Sequence, residues 1–130
     1  MKTKSVNWEN ESKQQTRQYD LEQRTFDFAK QVRLFIRQIP KTVANVEDIR
    51  QLVRASGSVG ANYIEANESL SKKDFLMRIK ICRKEAKESR YWLQLIDAGH
   101  ESKIEKLRLE LVQEATELTS IFGAIFRKSE

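Results

Sequence analysis

The chain is short of most residues that do chemistry or interrupt helices. It has one cysteine, one histidine, one proline and four glycines among 130 residues. A lone Cys82 cannot close an internal disulfide, which fits a reducing compartment, so a cytoplasmic location is expected. His100 falls in an expected inter-helix loop and Cys82 on an apolar face. Without ligand spacing between them they are poor evidence for a zinc site. The paired Glu-x-x-His elements of bundle di-metal proteins are missing. So are a phosphate loop, a nucleophile elbow and HExxH. Glu65 and Glu68 flank a helix end and read as surface carboxylates. The expectation is a protein that is not an enzyme and uses no cofactor or metal. No apolar run approaches the ~20 residues of a membrane span. Residues 1–18 lack the apolar stretch of a signal peptide. No membrane partner is expected.

What the chain does have is interleaved charge and apolarity, 33% and 39% of residues respectively. With so few breakers and no long β-branched runs, that pattern reads as long helices. The length suits one domain, which buries roughly two-thirds of the surface of its unfolded form. The formal charge of +5 and pI near 9.4 permit an acidic partner. They serve solubility equally well.

Residues 1–18 read as a flexible polar tail, with Val6 and Trp8 its only large apolar groups. The spacing predicts four helices over 19–130. The first spans about Asp20 to Gln38, with a stripe of Leu21, Phe28, Val32, Phe35, Ile36 and Ile39, and Lys30, Arg33 and Arg37 opposite. Pro40 ends it. The second starts near Asn45 as N-cap, with Glu47 and Asp48 in its first turn. Its buried face comprises Ile49, Leu52, Val53, Ser56, Gly60, Tyr63 and Ile64. Ser56, Gly57, Gly60 and Ala61 form a small-residue motif within it. Mid-helix glycines cost about 1 kcal/mol each against alanine, so they should allow a neighbouring helix to approach closely, or else mark a kink. The third helix opens on Ser71-Lys72-Lys73-Asp74, close to a capping box, and runs to about Ala98 before Gly99. The fourth opens at Ser102 with Glu105 completing a second box. Its stripe is Ile104, Leu107, Leu111, Ala115, Leu118, Phe122 and Ile125. Short connections make consecutive helices antiparallel. The expected fold is all-α, an antiparallel up-and-down four-helix bundle.

The third helix carries three faces on a wheel of about 100° per residue. Phe75, Ile79, Cys82, Ala86, Ser89, Leu93 and Ile96 form the core face. Lys73, Lys80, Arg83, Lys84, Lys87 and Arg90 form a basic arc, which could follow phosphates or be a solvated face. Met77, Ile81, Trp92 and Leu95 form a second apolar stripe, suited to an oligomer interface or to cover by the tail or the loop after Pro40. Glu110, Glu114 and Glu117 of the fourth helix make an acidic strip that could pair with the basic arc within or between subunits. No aromatic residues interleave with the lysines as a stacking platform would require.

Several segments resemble a known family. They are Asp20-Leu21-Glu22-Gln23-Arg24-Thr25-Phe26, Ile39-Pro40-Lys41, Gln51 to Ala66, Ser71-Lys72-Lys73-Asp74-Phe75 and Glu85 to Leu93. Together they resemble the bacterial four-helix-bundle proteins of the 23S rRNA intervening-sequence family over about residues 19–98. The likeness is most specific in the run from Ser56 to Ala66, and the fourth helix is similar only in pattern. The resemblance implies a four-helix bundle, assembly into a homo-oligomer (a pentameric ring), and no catalytic residues to carry over. It also implies a setting near rRNA: some members are encoded inside large-subunit rRNA genes, and a related bundle works with a reverse transcriptase and RNA. Cys82-Arg83-Lys84-Glu85-Ala86 departs from the run many members have there. The functional expectation is a self-associating bundle that binds RNA or DNA without sequence specificity. The alternative is a protein-binding scaffold or accessory subunit with no nucleic-acid contact.

Overall fold

Turn chemistry and apolar spacing together lay out four helices. A computed structural model of the chain describes the backbone of residues 9–130 and the side chains of residues 21–130. Helix α1 is Glu9–Ile36, α2 Val43–Asn67, α3 Lys72–Leu95 and α4 Ser102–Ser129. Each helix packs against its two neighbours in the cycle α1–α2–α3–α4–α1, with no diagonal contact among the described residues, which is the up-and-down arrangement. The α2–α3 and α3–α4 seams are the extensive ones. Helix α1 begins at Glu9 rather than Asp20. Residues 9–19 contain no Gly or Pro and are rich in Glu, Lys, Gln and Arg, which propagate a helix well. Val6 and Trp8 lie outside the described residues.

The core is built from the expected stripes. Phe28, Val32 and Phe35 of α1 meet Leu52 and Val59 of α2, Ile79, Cys82, Ala86 and Leu93 of α3, and Leu118 and Phe122 of α4, all at most 2% exposed. Tyr63 and Phe122 stack edge-on, with centroids 5.6 Å apart. Ile64, expected on the buried face of α2, is instead 52% exposed. One residue past Tyr63 is about 100° around the helix, which carries Ile64 out of the seam.

The glycines of α2 mark where α1 crosses it. A β-carbon at Gly60 would lie 2.9 Å from Thr25 Oγ1 and 3.3 Å from Thr25 Cβ. Gly60 therefore allows the close approach its spacing suggests, and α2 continues through it without a break. Ser56 is fully buried and its hydroxyl donates to the Val53 carbonyl, 3.3 Å away. Gly57 is covered by Arg33, whose Nη2 would sit 3.2 Å from an added β-carbon and donates to the Val53 carbonyl at 3.4 Å. Arg33 thus folds onto α2 instead of standing opposite the core. Ala61 is exposed, so the packing motif is Ser56, Gly57 and Gly60 without it.

Three further helix ends differ from expectation. Thr42, not Asn45, caps α2, its hydroxyl accepting from Asn45 N at 3.1 Å. The shift leaves Glu47 and Asp48 beyond the first turn. Asn45 is freed for another task. It is 1% exposed, and its amide nitrogen donates to the carbonyls of Pro40 (2.8 Å) and Asp97 (2.9 Å) while its oxygen accepts from Asp97 N (3.1 Å). It pins the α1–α2 turn to the α3–α4 loop. Helix α3 stops at Leu95 because Ile96 turns extended, so Gly99 (φ +87°) serves the loop and not the helix end. Its amide donates to Asp97 Oδ1 at 3.0 Å. At α4, Glu101 takes the cap position with no side-chain hydrogen bond, and Ser102 is already helical. Glu105 is engaged instead by Arg108, at 2.6 Å. The Ser71 cap of α3 forms as read, accepting from Asp74 N at 3.1 Å.

Candidate nucleic-acid interface on helix α3

Helix α3 is the most finely divided surface of the bundle. Its core face packs inward as the wheel requires, and Cys82 is fully buried. Burial pushes the Cys82 thiol up to about 12, so the residue is no nucleophile at neutral pH. Among the described residues, no three His, Cys, Asp or Glu side chains gather to hold a metal. No helix among them is long and apolar enough to cross a membrane.

Toward α2, α3 carries a polar network flanked by apolar groups. Arg78 donates to Asn62 Oδ1 at 2.8 Å. Arg54 of α2 reaches Glu85 at 3.6 Å and Glu88 at 3.4 Å, and Lys84 lies 3.9 Å from Glu88. Glu85 is only 6% exposed, and its Oε1 meets Arg54 as a charge without a hydrogen bond. Trp92 is packed against the core with its indole N–H buried and without a hydrogen-bond partner among the described residues.

Toward α4, the character is cationic. Lys80 Nζ lies 5.9 Å from the centroid of the Phe126 ring, a cation–π contact. Arg83 lies along the seam beside Gly123. Facing outward between the two sides are Met77, Lys84 and Tyr91, a heptad apart.

Met77, Lys80, Ile81, Arg83, Lys84, Lys87, Glu88, Tyr91 and Trp92 line one open groove of about 810 Å³. The sequence-derived basic arc and apolar stripe are therefore two banks of a single surface. Two aromatic rings, stacked edge-on with centroids 5.0 Å apart, sit at one end of it. Tyr91 is 55% exposed and belongs to neither set read from the sequence. It was missed because an exposed tyrosine among charges carries no periodic signal. Lys73, Arg90 and Leu95 lie outside the groove.

The acidic strip of α4 does not neutralise this arc. Arg24 of α1 binds Glu114 and Glu117, each at 2.7 Å, and Lys106 lies 3.7 Å from Glu110. Hydrogen bonding to Glu114, then to Glu117, holds the Arg24 guanidinium more firmly protonated. Gln113 and Arg24 hold the Glu117 carboxyl below its ordinary range. With Glu114 and Glu117 held by α1 and Glu110 by Lys106 of α4 itself, the only arc residue in an ion pair among the described residues is Lys84, with Glu88 of its own helix. Among the described residues, Lys73, Lys80, Arg83, Lys87 and Arg90 are in no ion pair.

A family of 23S rRNA-intervening sequence proteins matches residues 17–123. The chain belongs to that family. The match runs into α4, past the segments whose residues carry the likeness by eye. Among solved structures, the chain is similar to a protein of unknown function from the S23 ribosomal protein family of Bacteroides thetaiotaomicron VPI-5482. Their identity is 24%, the TM-score 0.69, and the likeness covers 81% of this chain and 96% of that one. At that identity the likeness shows the shared bundle. No curated protein matches the chain.

Proposed function

We propose that this family member is a non-catalytic bundle that binds the phosphate backbone of RNA or DNA along the cationic bank of α3. The supporting observation is the distribution of ion pairs. Glu110, Glu114 and Glu117 of α4 are engaged by Lys106 and Arg24, while among the described residues Lys80, Arg83 and Lys87 are in no ion pair and lie beside an exposed tyrosine. A cationic track with an aromatic ring at its end suits a single strand, whose bases stack while its phosphates are neutralised. Phosphate contacts carry no sequence information, so binding is sequence-independent.

Reversing Lys80, Lys84 and Lys87 to Glu abolishes binding of single-stranded RNA and DNA at low salt. Reversing the exposed Lys30, Arg37 and Lys103 makes the same change in net charge and leaves most of the binding. Wild-type affinity falls steeply with salt. Absence of wild-type binding to single- and double-stranded RNA and DNA, or equal binding by the two triple variants, overturns this reading in favour of a protein-binding scaffold.

A second reading, self-association, is favoured by the opposite bank. Met77, Tyr91 and Leu95 are each more than half exposed, and Ile81 and Trp92 continue the apolar surface toward α2. Ile81 and Trp92 lie toward α2 and Lys80 and Arg83 toward α4, with Met77 and Tyr91 outward between them. A homo-oligomer seated on Ile81 and Trp92 therefore leaves Lys80 and Arg83 open, while one that covers Tyr91 competes with a strand for that ring. Ile81→Asp dissociates such an assembly in sedimentation while helicity is kept. A wild-type monomer at tens of micromolar overturns it.

A further inference from the structure

Gly123 is a buried glycine in the C-terminal third of α4, where an alanine would favour the helix more. What occupies the space of its missing side chain is cationic. A β-carbon there would lie 3.3 Å from Arg83 Nε of α3 and 3.4 Å from Arg127 Nη1, one turn along α4. Two guanidinium groups thus converge on one point from two helices. Neither is in an ion pair among the described residues. Lys80 stands nearby over Phe126, one residue before Arg127. Like charges brought this close repel one another unless an anion is shared between them. Elsewhere in this chain, arginines near a seam find acceptors: Arg24 two carboxylates, Arg33 and Arg108 backbone carbonyls, Arg78 an amide oxygen. Arg83 and Arg127 are the pair that converges without one.

We infer that Arg83 and Arg127, brought together by the absence of a side chain at Gly123, form a seat for one phosphate group in the α3–α4 seam. The ligand is a tetrahedral phosphate oxyanion, which two planar guanidinium forks bind through paired N–H donors. As a seat for a phosphodiester of a bound strand, it rests on the nucleic-acid reading above. It also adds Arg127, a residue of a different helix, to the track. Arg127 has a second use in the last turn of α4, where a cation complements the helix dipole. A role limited to the dipole predicts no coupling to Arg83.

The test combines Arg83→Gln, Arg127→Gln and the double variant, all at exposed side chains. If both arginines hold one phosphate, each single change weakens binding of a single-stranded RNA about tenfold. The double is then little worse than either, and the slope of log affinity against log salt drops by roughly one phosphate's share, ~0.7, and not by two. Arginine Nε–H resonances of both residues also shift together, and saturably, when sodium phosphate replaces sodium chloride at constant ionic strength. If both variants bind RNA with wild-type affinity and slope while the lysine triple reversal does not, the seat is refuted and the nucleic-acid reading survives. If wild type binds no nucleic acid but the two resonances still titrate with inorganic phosphate, the seat stands as a site for a free phosphate group and the nucleic-acid reading fails. If neither resonance responds to phosphate and the two arginines act additively, they are separate surface charges and the inference is overturned.

Discussion

Gly60→Ala sets two known effects against each other at one atom. In a helix interior, alanine gains about 1 kcal/mol over glycine. Here the new β-carbon would come 2.9 Å from Thr25 Oγ1, with Thr25 Cβ at 3.3 Å and its backbone carbonyl carbon at 3.6 Å. Thr25 has little room to yield. It is 1% exposed, stiff at χ1 because it is β-branched, and its hydroxyl donates to the Glu22 carbonyl at 2.9 Å. Rotating it away forfeits that hydrogen bond, about 1 kcal/mol. Moving α1 instead disturbs a seam of close packing, where overfilling costs about 1–3 kcal/mol. Set against the propensity gain, either route leaves a net destabilisation of about 0–2 kcal/mol. Gly57→Ala is the internal control. Its β-carbon meets only the end of the flexible Arg33 side chain, at 3.2 Å, so the helix-propensity gain survives and stability holds or rises. Urea denaturation followed by far-UV circular dichroism measures both. Thr25→Ala should relieve part of the Gly60→Ala penalty, giving a coupling energy in a double-mutant cycle. Gly60→Ala as stable as Gly57→Ala, or no coupling to Thr25, would refute the close approach of α1 to α2 at this point.

Asn45→Ala removes three hydrogen bonds that join the two loops at one end of the bundle and leaves the Asp97 amide and two carbonyls without their partner. A loss of about 2–4 kcal/mol is expected, read as a lower denaturation midpoint. A change under about 0.5 kcal/mol would show that water replaces the amide without cost.

The helices were legible because their cores are written at a regular spacing. Phe28, Val32 and Phe35 recur at four and three residues, and only one face of a helix can hold them all. The close approach at Gly60 was legible for a similar reason, since a glycine on a buried face has few other uses. The ends of helices were not. Thr42 and Asn45 are both competent caps, and Asn45 is withheld from the role because Asp97, far away in sequence, needs its amide. Ser102 and Glu105 have capping-box spacing, but Arg108 draws Glu105 into an ion pair. Arg33 reads as solvent-facing on a wheel and folds back because Gly57 leaves it a place to lie. The misses at Asn45 and Arg33 are long-range choices made by side chains with good local options, and the one at Glu105 is a choice between two local partners.

The surface follows the same logic. A wheel assigns α3 a basic arc and an apolar stripe as neighbouring sectors but cannot say what becomes of either. The fate of the arc was decided on the far side of the bundle. Arg24 engages Glu114 and Glu117, two of the three carboxylates of the acidic strip, with short hydrogen-bonded pairs. The fate of the stripe was decided by α2, whose Arg54 holds Glu85 and Glu88 beside Ile81 and Trp92. Helix α3 is also the element with extensive seams on both sides, so its side chains project from the most firmly held backbone in the bundle. A site that depends on the spacing of several cations needs such a platform, because long lysine and arginine side chains already lose conformational freedom on binding. Helix α1, which packs less extensively on both neighbours, compensates charge elsewhere and leaves α3 positive. Arg24 holds Glu114 and Glu117 on the flank of α4 that faces α1, away from the flank where Gly123 meets Arg83 of α3.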